Sequence, residues 1–320
     1  MELADTRLES LGPDYYRCEF TAMGTACQLD ARMTSPGVAR EFAREVQEWV
    51  RCFEHRFSRF IPESLISRIN LQAGHGWVEI DSDAEALFAL CDWFYWRSNR
   101  VFDPSSLPLL KLWDYHSNQA TPPADKDITA ALAFVGWSRI ERDGLRIRLP
   151  ESGMGLDMGG IGKEYAVDKV MEMAIARGIE DVQVNFGRDL RVHGEPPQGG
   201  PWLVGLEDPS NPGNFWGGVA VKDRSVTTSG NYRRFFMSGN RRYGHIIDPR
   251  NGYPVDNSCL SVSVISPSCT EAGILSTTTF ILGPEEGLKE LDRNPQVQGC
   301  LWTDQGRWET RGFNEYLVQK

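Results

Sequence analysis

Beyond residue 200 the chain offers one short strand pattern after another with few helices between them: WLVGLE (202–207), GGVAVK (217–222), RYGHIID (242–248) and LSVSVIS (260–266). Strands clustered in this way predict an α+β fold rather than a doubly wound parallel sheet, which would need a helix in each crossover. Upstream, LRIRL (145–149) and DVQVNFG (181–187) read as strands, with a helix at 163–178 closed by Gly178. Residues 20–31, FTAMGTACQLDA, read as a strand broken by a small-residue turn at Met23-Gly24-Thr25. A packing helix starts near Pro36, its apolar stripe made by Val38, Phe42, Val46, Val50 and Phe53. The helix at 82–97 is so apolar, with Leu87, Phe88, Leu90, Trp93, Phe94 and Trp96, that it is expected to be covered on most sides. Two more helices are expected near 270–282 and 284–293.

A length of 320 residues exceeds what one simple core organises. The expected division is an N-terminal extension over 1–19 and a single domain over 20–320 built of two intertwined subdomains. TPPAD (121–125) and EPPQGGP (195–201) punctuate the chain without forming a long linker. Hydrophobic residues make up 41% of the sequence, which excludes intrinsic disorder. Lys and Arg total 34 against 44 Asp and Glu, and the net charge of −10 argues against nucleic acid as a partner. No apolar run approaches the ~20 residues of a spanning helix, so no membrane insertion is expected. The 7 cysteines lack both metal-knuckle spacing and a disulfide framework. Reduced thiols fit a cytoplasmic setting, with a periplasmic one as the alternative if a leader has been removed.

Three segments carry chemistry. GMGLDMGGIGK (153–163) fails as a P-loop, because Asp157 stands where a glycine is needed and Glu164 where a hydroxyl is needed, and the dinucleotide fingerprint fails on the same kind of spacing. What remains is a Gly-rich turn into a helix whose first turn holds Lys163, an anion site or a plain strand-to-helix turn. SVTTSGNYRRFFMSGNRRYGHIIDPRNGYPV (225–255) holds Arg233, Arg234, Arg241, Arg242 and Arg250 against one carboxylate, Asp248. Its Thr227, Thr228, Ser229 and Gly230 offer hydroxyls and amides for a small anionic ligand, and His245 adds a side chain suited to proton transfer. In FDPSSLPLLKLWDY (102–115), Asp103 either accepts from a base or sugar edge or caps a turn.

Taken in order, MGT (23–25), FSRFIPESLISRIN (57–70), FDPSSLPLLKLWDY, LDMGGIGKEYAVD (156–168), TSGNYRR (228–234), HIIDPRNGYPV (245–255) and SVSVISPSCTEAGILSTTTFILG (261–283) resemble the motifs of the ApbE family of FAD:protein FMN transferases. The resemblance implies an ApbE-like, T-fold-related α+β fold of two lobes with FAD in the cleft between them. It implies that a Thr or Ser hydroxyl of an acceptor flavoprotein, a subunit of a redox complex, attacks the FMN-side phosphorus and AMP leaves. It places Met23, Phe60 (a Tyr in most of the family), Phe102, Asp103, Asp157 and Lys163 on FAD, Thr228 and Ser229 near the diphosphate, and His245 as the proton-transfer residue. The metal, Mg²⁺, would be held by Thr277 and a main-chain carbonyl near Gly160.

At one point the sequence departs from that pattern. Where the family has Asp four residues before the metal-binding Thr, this chain has Gly273. Glu164 stands where the family commonly has Gly. Loss of a carboxylate lowers the expected Mg²⁺ affinity, and Gly273→Asp is expected to raise it. Glu271, two residues earlier on the helix, should point away, whereas Asp157 or Glu164 are better placed replacements, and Arg188 could supply positive charge in the metal's stead. The alternatives are an FAD-binding carrier or sensor that has lost transfer, and an FAD diphosphatase.

Overall fold

The computed structural model describes residues 7–113 and 121–318. Asp114 and Tyr115, the end of the 102–115 motif, lie outside the described residues.

Strands β1 (Arg7–Gly12), β2 (Tyr15–Ala22) and β3 (Thr25–Arg32) form an antiparallel meander. Helices α1 (Pro36–Phe57), α2 (Leu65–Leu71) and α3 (Ser82–Arg97) follow, with β4 (Val78–Glu79) between the last two. Next come α4 (Leu107–Trp113), α5 (Asp125–Leu132), and β5 (Glu141–Arg142) and β6 (Arg146–Arg148), which join β4 in a small sheet. Helix α6 (Gly162–Ala176) leads into the hairpin β7 (Val182–Phe186) and β8 (Asp189–His193). Strands β9 (Trp202–Glu207) and β10 (Phe215–Val221) pair with each other; β11 (Ser225–Gly230) then precedes a second pair, β12 (Phe235–Ser238) and β13 (Arg241–Gly244). The chain closes with β14 (Cys259–Ser266), α7 (Cys269–Leu282), α8 (Pro284–Asp292), β15 (Gln298–Thr303) and β16 (Gly306–Glu309).

Among the described residues the main sheet has nine strands in the order β1-β2-β3-β7-β8-β11-β14-β15-β16. Every neighbouring pair in it is antiparallel, so the fold is α+β as the strand clustering requires. Cys27, Leu29 and Ala31 alternate along β3 and are buried with Val182, Val184 and Phe186 of β7 in the largest core cluster, which also takes one face of α1 and α6. Ser35 starts α1 by accepting the Val38 N–H on its hydroxyl (3.3 Å).

Four expectations need correction. Residues 7–19 are not an appendage, because β1 and most of β2 are strands of the main sheet. Val38 is exposed, since the buried stripe of α1 runs through Ala39, Phe42, Ala43, Val46, Val50 and Phe53. Helix α3 is not covered all round: Trp93 and Trp96 remain 52% and 56% exposed. Their indoles lie edge-on to Phe94 and Tyr95, and Arg100 covers Trp96, so apolar surface is shielded by neighbours on the same helix end instead of by a second layer. The strand expected over 242–248 stops at Gly244, after which the chain leaves the hairpin and makes a single bridge, Ile247 to Pro254.

Candidate active site

Two tight turns define one end of the main sheet. Met23 and Gly24 (φ +51° and +66°) join β2 to β3, and Gly187 and Arg188 (φ +59° and +78°) join β7 to β8. Positive φ at both central residues is the two-residue turn whose twist matches the flanking strands. The turns touch: a Cβ on Gly187 would lie 2.5 Å from Thr25 Oγ1. Lys163, in the first turn of α6, reaches this edge and pairs with Asp189, the first residue of β8, and with Glu164 Oε1 (2.9 Å). Strand β11 runs antiparallel to β8 with Val226 opposite Leu190, so Thr228 and Ser229 project past the β7–β8 turn toward the same end. Ser229 Oγ lies 2.7 Å from Ser276 Oγ and 2.9 Å from Thr277 Oγ1 of α7, and Thr228 Oγ1 lies 2.9 Å from Ser263 Oγ.

The Gly-rich turn ahead of α6 is tied down by segments far away in sequence. Asn70 of α2 donates to the Leu156 carbonyl (3.0 Å) and accepts the Leu156 N–H (2.6 Å), while the Asp157 N–H donates to the Pro104 carbonyl (2.8 Å). Asp157 pairs with Arg59, whose guanidinium lies 4.1 Å over the Phe60 ring, and also accepts the Gly159 N–H (2.5 Å). Gly160 faces Phe102, 3.7 Å from where its Cβ would be. Thus the 57–70, 102–108 and 156–168 motifs meet at one turn. Asp103 sits beside them as a turn organiser: Ser105 donates its N–H and hydroxyl to one carboxylate oxygen (2.8 and 2.5 Å), and the Trp137 N–H donates to the other (3.2 Å). Burial pushes its carboxyl above the ordinary range although these donors pull it down.

His245 follows β13, one residue beyond Gly244, which packs on Asn231 just past β11. The Arg234 carbonyl lies 3.1 Å from its N–H and 3.2 Å from Nδ1. With Nδ1 donating, Nε2 keeps its lone pair. Burial, and then the Arg234 charge, lower its pKa to about 4, so the ring is neutral at pH 7. Among the described residues no hydrogen bond or ion pair joins His245 to Lys163, Glu164 or Thr277.

The five arginines of 225–255 are less free than the local count suggests. Arg233 pairs with Glu207 of β9, Arg241 with Asp256 and Arg250 with Asp248. Arg188 also turns to Glu207 (3.0 Å), so it does not replace a metal's charge. Arg233 foremost, with the Tyr232 hydroxyl and the Gly213 N–H, holds the Glu207 carboxyl at about 2 against the opposing effect of burial. Burial holds the thiols of Cys18, Cys27, Cys259 and Cys300 at about 12, which removes them as nucleophiles, and none of the seven cysteines is paired.

Thr277, expected to help hold a metal, lies on α7, and no group of three or more His, Cys, Asp or Glu side chains that could hold one gathers among the described residues. Glu271 does point away: Ser266 donates to one of its oxygens and Asn294 to the other (2.7 Å). Asp157 is committed to Arg59 and Gly159. Glu164 is different. Its side chain lies directly on Gly273, where a Cβ would fall 2.5 Å from Glu164 Cγ. An Asp at 273 would collide with it and set two carboxylates together, so the expected gain in Mg²⁺ affinity from Gly273→Asp alone is withdrawn. Sequence reading missed Asp189 and Ser276 altogether; the hairpin turn at Gly187 was the available signal for the first, and the helical step from Gly273 for the second.

The ApbE family model matches residues 23–301. This chain belongs to the ApbE family. Similar ApbE relatives include an FAD:protein FMN transferase of Treponema pallidum, 30% identical with 90% of this chain and 84% of that protein covered. Another, from Klebsiella pneumoniae, is 30% identical with 82% of each covered. Among solved structures, an ApbE protein of Thermotoga maritima matches with a TM-score of 0.86 at 27% identity, covering 95% of this chain and 100% of that one. The flavinyl transferase ApbE of Pseudomonas stutzeri gives 0.83 at 28% identity over 100% of both chains. No helix among the described residues of this ApbE chain is long and apolar enough to cross a membrane.

Proposed function

We propose that this chain transfers FMN from FAD to a Thr or Ser hydroxyl of an acceptor flavoprotein, with release of AMP and with Mg²⁺ as its metal. The observation that carries this reading is the meeting of hydroxyls, a lysine and a helix N-terminus at one end of the main sheet: Ser229, Ser276 and Thr277 beside Lys163 and the start of α6. The hydroxyls and the amides at the start of α6 offer donors to a diphosphate, and Lys163 is held beside them by Asp189 and Glu164. Met23, Phe60 and Phe102 supply apolar surface for the flavin and adenine rings; Asp157 and Asp103 keep their shape-holding bonds while they frame that surface. In the reaction the acceptor oxygen forms a bond to the FMN-side phosphorus, the bond from that phosphorus to the bridging oxygen breaks, and AMP departs with that oxygen. Nε2 of His245 takes the acceptor's hydroxyl proton. Phosphoryl transfer asks mainly for alignment and charge neutralisation.

The residues suit a hard cation: hydroxyl oxygens and one carboxylate, with phosphate oxygens from substrate completing the set, as Mg²⁺ prefers. When bound, the ion would neutralise charge on the diphosphate. Seven unpaired cysteines support a cytoplasmic setting for this activity, and an acceptor flavoprotein subunit of a redox complex is the partner proposed.

The test is incubation of protein, FAD, Mg²⁺ and an acceptor domain, with a fluorescent covalent band and stoichiometric AMP expected. Tight FAD binding without band or AMP identifies a flavin carrier, and AMP without a band a diphosphatase. The lowered His245 pKa sets the pH profile. As a base it works deprotonated, so kcat/KM should stay level from pH 7 down to pH 5 and fall tenfold per unit only below about 4. An ordinary acid limb near 6.5 would remove His245 from this role.

A further inference from the structure

Glu164 is 8% exposed, and among the described residues its Oε2 has no hydrogen-bond partner, while Oε1 is taken by Lys163. A buried carboxylate with one oxygen unsatisfied is costly, and a bound cation is one way such a group is completed. The space it fills belongs to α7. A Cβ on Gly273 would meet Glu164 Cγ, Cδ and Cβ at 2.5, 3.1 and 3.4 Å. Gly273 sits inside a helix, where glycine is unfavourable and no left-handed backbone calls for it. Room for Glu164 is therefore the reason a glycine stands there.

Thr277 lies one turn after Gly273 on the same helical face, and helix side chains tilt toward the N-terminus, so its hydroxyl leans toward the turn that Glu164 covers. We propose that Glu164 is the acidic ligand of a divalent-cation site shared with Thr277, the carboxylate having moved from α7 to α6, and that Gly273 is its steric counterpart. This rests on the transferase reading for the diphosphate that shares the ion, yet the ligand assignment is testable without it. The cation is of the hard, oxygen-seeking class, Mg²⁺ or Mn²⁺.

Mn²⁺ binding followed by electron paramagnetic resonance, with FAD binding measured separately by flavin fluorescence in EDTA, tests it. Wild type should bind one Mn²⁺; Glu164→Gln should bind it at least tenfold more weakly with FAD affinity unchanged. Gly273→Asp alone should not tighten binding, whereas Glu164→Gly combined with Gly273→Asp should return it to within about threefold of wild type, a coupling that only a shared position produces. Equal Mn²⁺ binding by wild type and Glu164→Gln, or none by wild type, overturns the proposal. Glu164-dependent Mn²⁺ binding in a protein that leaves FAD fluorescence unchanged supports the site and overturns the transferase reading instead.

Discussion

His245→Ala is expected to lower the rate of covalent flavin transfer by about 10²–10⁴-fold, the usual worth of a positioned general base. FAD affinity should change little. The imidazole is half-buried and fixed through Nδ1 to the Arg234 carbonyl, and its depressed pKa leaves Nε2 free to accept a proton at neutral pH. Removing it takes away the acceptor for the hydroxyl proton and leaves the hydroxyl and lysine cluster at the end of the main sheet untouched. Residual transfer is expected, since alignment and charge supply most of the acceleration in phosphoryl transfer. Single-turnover rates of band formation, with and without added imidazole, measure it: partial rescue by imidazole supports a proton-transfer role. A variant with near-wild-type rates would sink that role, and loss of FAD binding in step with rate would make His245 a packing residue.

Much of this site was legible in the sequence because its motifs carry short-range signals. The Met23-Gly24 turn, the start of α1 at Pro36 after Ser35, and the helical run of α6 closing before Gly178 are all set by local backbone preference. What was illegible depends on long-range pairing. Nothing near Glu207 in sequence announces that Arg188, Arg233 and Tyr232 converge on it, because its partners come from strand ends 19 to 26 residues away. Asp103 looked free for a ligand only while Trp137, 34 residues on, was out of view. The relation of Gly273 to Glu164 was half visible: each departs from its family's usual residue, but that the two departures fill the same space is a fact of α6 packing on α7.

That packing has its own anchor, and Asp168→Ala is expected to cost about 3–5 kcal/mol of folding stability, the range for removing one partner of a buried ion pair. Asp168 is 7% exposed near the middle of α6. Its carboxylate accepts the N–H groups of Cys269 (2.8 Å) and Thr270 (2.8 Å) and the Thr270 hydroxyl (2.7 Å), and it pairs with Arg191 of β8 (2.7 Å). One side chain thus caps the start of α7, where exposed N–H groups and the helix dipole favour negative charge, and binds it to both α6 and the sheet. Alanine would leave two buried amides and a guanidinium unpaired at once. Urea denaturation followed by circular dichroism should show the midpoint falling with little change in slope, and the melting temperature should drop on the order of 5–10 °C. Asp168→Asn, which keeps one acceptor oxygen, should lose less than Asp168→Ala. A loss below about 1 kcal/mol would mean that α7 is held by its apolar face alone. Since Gly273 and Thr277 begin one and two turns after this cap, a shift in the start of α7 moves both, and Asp168→Ala should weaken Mn²⁺ binding even where the protein remains folded.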